Sequence, residues 1–381
     1  MTLQVLPIGV FISTVISVLY YIGVMQVIIR KVAWLLSVTL GTTAGESLNA
    51  TANFFLSMDQ AVLLIRPLVP VLTRSELHAI MTAGFATVST GTLAGYIMFG
   101  VPAKHLIAAA IMSVPAALTV SKILMPETEK SHTTTEDVEC MPHSHLRNVI
   151  EAAAHGAAQS IKMLSSIAAT LIAFIAVISF VNSVLTWLGE RVGIEGVTLE
   201  WICSYALWPV AFLMGADIAD CPKVAELVGV KTFVNEYLAY SQLGHLIANR
   251  AVWQEHVANN GSYYYVGQDI VLDGTESTLV NGILSERSEV ITTYALCGFS
   301  NLASIGMILA VLGPLAPARK GEAAKLALRA MIAGNIACFM TASIAGRRRR
   351  YTRARPGRVW DFKARVSAPR VYLFPFNITF L

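Results

Sequence analysis

Apolar residues in this chain fall in long runs, and several runs are interrupted by single polar side chains rather than by whole polar segments. Residues 3–29 and 163–188 form the cleanest runs, and the second contains no Asp, Glu, Lys or Arg. Each is about 26 residues long, enough for a tilted helix to cross a hydrocarbon core of roughly 30 Å. The two-residue alternation of a membrane strand is absent, so helices are the expected spanning element. Further spans are expected at 76–99, 101–124, 289–312 and 323–345, the third of these broken. A short amphipathic piece is expected at 30–40, and an interfacial helix at 148–162.

Two stretches are too interrupted for simple spans. Residues 45–65 carry Glu46, Asn49, Asn53, Asp59 and Gln60, and residues 229–240 carry Asn235 and Glu236 among Val, Phe, Tyr and Leu. Polar groups at membrane depth are expensive and usually mark a binding site, and irregular backbone there must be shielded by protein. Each stretch therefore reads as a helical hairpin that enters and leaves on one side. Gly84-Phe85-Ala86-Thr87-Val88-Ser89 and Gly298-Phe299-Ser300-Asn301-Leu302-Ala303 share a small, aromatic, small, polar, aliphatic, small pattern, each after one of the polar clusters. The expected fold is an all-α polytopic membrane protein with inverted repeats, two re-entrant helical hairpins and broken transmembrane helices.

Composition agrees. Of 381 residues, 55% are hydrophobic and 14% charged, whereas a soluble domain carries about 25% charged residues. The net charge of +4 owes much to Arg347-Arg348-Arg349-Arg350 with Arg353, Arg355 and Arg358. With the positive charge concentrated in the tail, a nucleic-acid reading of the body is unwarranted. Cys140, Cys203, Cys221, Cys297 and Cys338 have no metal or paired spacing and read as small hydrophobes. His132, His143 and His145 share one polar loop and read as solvated. The N-terminal run lacks a basic start and a cleavage site, so it reads as a retained span rather than a signal sequence.

Arg30, Lys31, Arg66, Arg74, Arg319, Lys320, Lys325 and Arg329 fall on one side of this scheme, which the positive-inside rule assigns to the cytoplasm. The polar insert at 242–285 then lies outside, with Asn260-Gly261-Ser262 as a glycosylation sequon. Asn49-Ala50-Thr51 matches the same pattern inside a hydrophobic hairpin and reads as chance.

Gly41-Thr42-Thr43-Ala44-Gly45-Glu46-Ser47-Leu48, Ile65-Arg66-Pro67, Asp220-Cys221-Pro222, Gly229-Val230-Lys231, Phe233-Val234-Asn235-Glu236, Ile291-Thr292-Thr293-Tyr294-Ala295-Leu296, Cys297-Gly298-Phe299 and Ser304-Ile305-Gly306 resemble, in order, the motifs of the concentrative nucleoside transporter family. The resemblance runs from about residue 3 to residue 346. It implies a homotrimeric cotransporter in the plasma-membrane bilayer that imports nucleosides on a sodium gradient, or a proton gradient in some members, by an elevator motion. It also implies a division into a scaffold span and interfacial helix (1–40), a first transport half (41–125), a cytoplasmic loop and interfacial helix (126–162), a scaffold span (163–197), a second transport half (198–346) and a divergent basic tail (347–381). Carried over residue by residue, Glu236, Asn301 and Ser304 match positions that hold ribose hydroxyls, with Phe299 beside the base. Asn53, the Leu56 backbone, Thr87 and the Val88 backbone match a sodium site, whose oxygen donors suit a hard cation.

The first hairpin tip departs from the family pattern. Ser57-Met58-Asp59-Gln60-Ala61-Val62 stands where the family has Gly, Gln or Met, Thr-Glu, a small residue and Pro, so the carboxylate has moved by one position. One position is about 100° of helix rotation, which changes where Asp59 points relative to a base site formed with Met58 and Gln60. The family also has spans before residue 3, and the chain reads as truncated there; beyond Gly346 the resemblance stops. These departures motivate a second reading, a transport-inactive subunit that assembles with a full-length paralogue; a proton-coupled transporter with altered base specificity and an intramembrane hydrolase using Asp217 and Asp220 are further alternatives. Without the resemblance, Glu236 reads equally well as an interface carboxylate, Asn53 and Thr87 read more readily as interhelical hydrogen-bonding groups, and Phe299 as a core or lipid-facing side chain.

Overall fold

The computed structural model describes residues 2–131, 133, 147–194, 196–274 and 277–352; His132, Cys140, His143, His145 and the tail from 353 lie outside them. The described chain is mostly helical. Helix α1 (Thr2–Ile22) meets α2 (Val24–Leu40) at Gly23, whose φ of 91° ends one helix and lets the next leave at 83°. The expected span at 3–29 thus stops at Ile22, because left-handed backbone is cheap for the glycine within it.

The expected first hairpin coincides with α3 (Ala44–Phe55) and α4 (Met58–Leu64), and the next expected span is divided into α5 (Arg74–Ala86) and α6 (Thr90–Met98). Helix α7 (Ala103–Leu124) follows. The expected interfacial helix and charge-free span are one helix, α8 (Val149–Arg191), of 43 residues and about 65 Å. It holds no proline, and its Ala-rich first part gives nothing that would end a helix. Its Gly156 lets α1 approach: Ser13 Oγ donates to Gly156 O at 2.8 Å and Ser17 Oγ to Ala152 O at 2.7 Å.

The apolar run at 201–214 is two short helices, α9 (Leu199–Ala206) and α10 (Trp208–Met214), with Pro209 opening the second. Then come α11 (Cys221–Phe233) and α12 (Glu236–Ala258). Helix α12 takes in residues expected in the polar insert, since a solvated helix needs no apolar stripe through its outer turns. The insert proper holds an antiparallel sheet of β1 (Tyr263–Val266), β2 (Asp269–Leu272) and β3 (Thr278–Leu279), paired in that order. The all-α expectation is corrected here: Tyr-Tyr-Tyr-Val has strand propensity, and Gly267 at φ 64° makes the turn. Asn260 of the sequon is exposed with φ 57°, and Ser262 Oγ donates to Asp273 Oδ2 at 2.8 Å.

The chain finishes with α13 (Glu286–Leu296), α14 (Leu302–Leu315) and α15 (Lys320–Thr352). Among the described residues, Ala103–Leu124 and Pro317–Arg347 are each long and apolar enough to cross a membrane, and the bent pair α1–α2 passes jointly. Helix α15 packs against α5, α7, α13 and α14 and forms the centre of the molecule. Small residues permit the closest approaches, as membrane packing requires. A Cβ at Gly334 would lie 2.7 Å from Phe85 Cβ, and one at Gly298 would lie 2.9 Å from Phe85 O. At one end of the bundle Arg74 pairs with Glu322 at 3.1 Å, Arg319 donates to Leu72 O and Arg329 to Leu124 O, so these three arginines share a side as loop charge suggested.

Candidate functional site

Four interrupted helices meet beside α15. In the second half, Asn235 caps α12 by accepting from Leu238 N at 2.9 Å, which puts Glu236 in the first turn. Asn301 caps α14 in the same way, its Oδ1 accepting from Ser304 N and Ser304 Oγ, both at 2.9 Å. The free amide of Asn301 donates to Glu236 Oε2 at 2.8 Å and joins the two caps. Glu236 is 3% exposed, Asn301 2% and Ser304 0%. Two helix N-termini, the positive ends of two macrodipoles, thus converge on one carboxylate. This is a short row of buried groups able to accept from and donate to a vicinal diol.

Phe299 lies in the break between α13 and α14, half-buried against the apolar cluster that contains Tyr96, Tyr237 and Tyr240. Tyr96 stacks on Tyr240 at 4.1 Å and meets Tyr237 edge-on at 5.1 Å. Tyr240 OH donates to Thr293 O at 2.7 Å, whereas the buried hydroxyls of Tyr96 and Tyr237 have no hydrogen-bond partner.

In the first half it is helix C-termini that meet. Leu56 ends α3 and Thr87 ends α5 with the same backbone, φ −106° and ψ 160°. Thr90 Oγ1 reaches Phe55 O at 3.4 Å, which ties one break to the other. Asn53, one turn before the α3 break, is 2% exposed; its Nδ2 donates to Asn49 O at 3.0 Å and Asn49 Oδ1 at 2.9 Å, but its Oδ1 has no partner. Thr87 Oγ1 donates to Ala83 O at 2.6 Å and keeps its lone pairs, and Val88 is fully buried. A buried carbonyl oxygen left without a donor costs on the order of 1–3 kcal/mol. That orphan, one turn before a helix C-terminus that is tied to a second one, fits a hard cation held by oxygens.

The first tip is less convergent. Met58 is 6% exposed and lies against Gly84, where a Cβ would come within 2.7 Å of its Cγ. Asp59 is exposed and Gln60 half-buried. The structure therefore brings together Glu236, Asn301 and Ser304, and ties the break after Asn53 to the break at Thr87 through Thr90 and Phe55, while Asp59 is exposed away from the buried groups.

Asp217 and Asp220 do not face each other across two spans. Asp217 accepts from Ser285 Oγ at 2.6 Å and Asp220 from Ser285 N at 3.1 Å, so both fasten the start of α13 to the loop before α11. The four described cysteines are free and buried, and no group of three or more His, Cys, Asp or Glu among the described residues is placed to hold a metal.

The echo in the sequence is out of step with the structure. Gly84, Phe85 and Ala86 still belong to α5, whereas Gly298, Phe299 and Ser300 follow the end of α13. The two segments nevertheless touch, through Gly298 against the carbonyls of Phe85 and Ala86.

One candidate was missed by sequence reasoning. Lys231 is fully buried, and its ammonium donates to Ala295 O at 3.2 Å and Asn335 Oδ1 at 2.9 Å. Asn335 in turn donates to Ser300 O at 3.1 Å and accepts from Ser300 Oγ at 3.0 Å. The available signal was a lysine inside the apolar stretch of residues 224–234, read only as part of a motif.

Sequence models of two families match the chain: one described as Na+ dependent nucleoside transporter C-terminus over residues 105–346, and one described as nucleoside recognition over residues 2–103. Solute carrier family 28 member 3 of Mus musculus is 47% identical over 90% of this chain and 46% of its own length. Sodium/nucleoside cotransporter 1 of Mus musculus is 44% identical over 90% of this chain and 50% of its own. The chain thus spans about half the length of these curated relatives. Among solved structures, CNTnw in an inward-facing substrate-bound state superposes with a TM-score of 0.76 at 34% identity, covering 90% of this chain and 74% of that one. A doubly substituted CNTnw in an outward-facing state gives 0.75 at 33% identity over the same shares.

Proposed function

The chain belongs to the Na+ dependent nucleoside transporter family, a family of multi-pass plasma-membrane transporters and not of enzymes, and from that premise we propose that it is a sodium-coupled symporter importing nucleosides. The observation that carries this reading is the buried row Glu236, Asn301 and Ser304 at two helix N-termini. In the proposed mechanism the ribose diol replaces the hydrogen bond between Asn301 and Glu236 with bonds of its own. The carboxylate accepts from one hydroxyl, while the Asn301 amide and Ser304 hydroxyl serve the other. Phe299 lines the base, and Met58 and Gln60 border the same space from the first tip, with the exposed Asp59 outside it.

Asn53 Oδ1, Thr87 Oγ1 and the backbone of Leu56 and Val88 would hold sodium, which supplies the positive charge that two helix C-termini call for. A cation there fixes the ends of α3 and α5 relative to each other, and Phe85 at the end of α5 lies against Gly298 of the substrate side. Occupancy of one site thereby biases the other, the coupling a symporter needs. The breaks act as two re-entrant hairpins and two broken spans in inverted transport halves, 41–125 and 198–346. These move as an elevator against a scaffold of 1–40 and 163–197, with three copies forming a trimer. The side shared by Arg74, Arg319 and Arg329 is the cytoplasmic one.

The test is uptake of radiolabelled uridine and adenosine by cells expressing the chain, in sodium and with choline replacing it at fixed pH, alongside surface labelling. Sodium-dependent uptake of either nucleoside is expected. Surface protein that moves neither is the outcome of the inactive-subunit reading.

A further inference from the structure

The C-terminal ends of helices pair in both halves, but only one pair is left open. In the first half α3 and α5 end at Leu56 and Thr87, and the polar side chain beside them, Asn53, stands third from the end of α3. In the second half α11 ends at Phe233 and α13 at Leu296, and the residue third from the end of α11 is Lys231. Its ammonium takes the carbonyl of Ala295, one residue short of the α13 terminus, and the amide oxygen of Asn335 on α15. It also lies within electrostatic reach of the Glu236 carboxylate. A lysine with no exposed surface is tolerated only where its charge is answered, and here it meets a helix C-terminus, an amide dipole and a carboxylate.

We propose that Lys231 is a positioning residue whose ammonium is a tethered cation, doing permanently for the second pair of helix ends what sodium does reversibly for the first. This rests on the sodium site proposed above. The consequence is a division of labour. The substrate side keeps its geometry whether or not sodium is bound, because its cation cannot leave. Removal of the ammonium frees α11 from α13, and with it the caps at Asn235 and Asn301 that orient Glu236 and Ser304.

The experiment is hydrogen–deuterium exchange of the full chain in lipid nanodiscs, read at the capped amides of Leu238 and Ser304. Lys231→Met is expected to speed exchange at both by about tenfold and to leave α1 and α8 unchanged, while Lys231→Arg keeps wild-type protection. Lys231→Asn, which copies the first-half residue, is expected to regain protection when sodium replaces choline, a rescue that Lys231→Met does not show. Should Lys231→Met fail to fold, Asn335→Ala keeps the charge and removes one partner, with about threefold faster exchange expected. Unchanged protection in Lys231→Met, or in Asn335→Ala where that stands in, would overturn the proposal, as would identical sodium responses of the Met and Asn variants. Exchange needs no transport, so absence of wild-type uptake bears on the symporter reading alone and leaves this test intact.

Discussion

The two halves of this molecule use the same device, paired helix breaks, and differ in which helix ends are left open. Around Asn53 and Thr87 the converging ends are C-terminal, and one buried carbonyl oxygen waits without a donor. Around Glu236 and Asn301 the converging ends are N-terminal, and the caps satisfy one another. A negative, under-satisfied site suits a guest cation that comes and goes. A positive, pre-organised one suits a polar solute whose hydroxyls substitute for bonds already made. In the proposed symporter, coupling would then need only ends of opposite sign, packed so that neither can relax alone.

That contrast is open to breakage, and the largest effect is expected on the substrate side. Glu236→Gln keeps the shape but gives up the charge, and ribonucleoside uptake should fall by at least about a hundredfold in kcat/KM at unchanged surface labelling. Retained uptake would remove the ribose role. Next come two of the tight glycines, one from each half. A Cβ at Gly244 would sit 1.9 Å from the carbonyl oxygen of Phe99, backbone that cannot step aside, whereas at Gly84 it meets Cγ and Sδ of the Met58 side chain at 2.7 and 2.9 Å. Gly244→Ala should therefore destabilise by about 3 kcal/mol and deplete the surface protein, with Gly84→Ala costing less, about 1 kcal/mol, because a methionine side chain can turn aside. Thermal unfolding of the two purified variants checks the order.

A smaller shift is expected at the cation. Asn53→Ala should raise the sodium concentration for half-maximal uptake by about tenfold, close to 1.4 kcal/mol, and leave the nucleoside KM at saturating sodium nearly unchanged. A change confined to nucleoside KM would reverse the assignment of the two halves. The least effect belongs to Asp59→Asn: because this carboxylate is exposed, uptake of uridine and adenosine should change by less than about threefold.

Much of this arrangement is legible in the sequence because membrane depth makes polar residues conspicuous. Asn53, Thr87, Glu236, Asn301 and Ser304 stand out against apolar neighbours, and breaks had to accompany them. What was illegible follows from the same physics. The join between the two parts of α8 is invisible because a helix passing from interface to lipid changes partners without changing its backbone bonds. The outer turns of α12 and the sheet at 263–279 lie among residues whose composition speaks of solvent more than of structure. Lys231 was passed over since a single basic residue near a helix end is ordinarily a solvated one. Its apolar neighbours were the one hint, and burial to 0% makes it plain.

Helix α15 touches α5 and α7 from one half and α13 and α14 from the other, with Gly334 seated on Phe85 and Cys338 Sγ donating to Cys297 O at 3.0 Å. The pair α1 and α8 is fastened mainly to itself, and to the remainder chiefly through α6. In unfolding experiments such a body is expected to melt in two steps, the outer pair peeling away while α15 and the other eleven α-helices of 41–125 and 198–346 hold as one cooperative foldon.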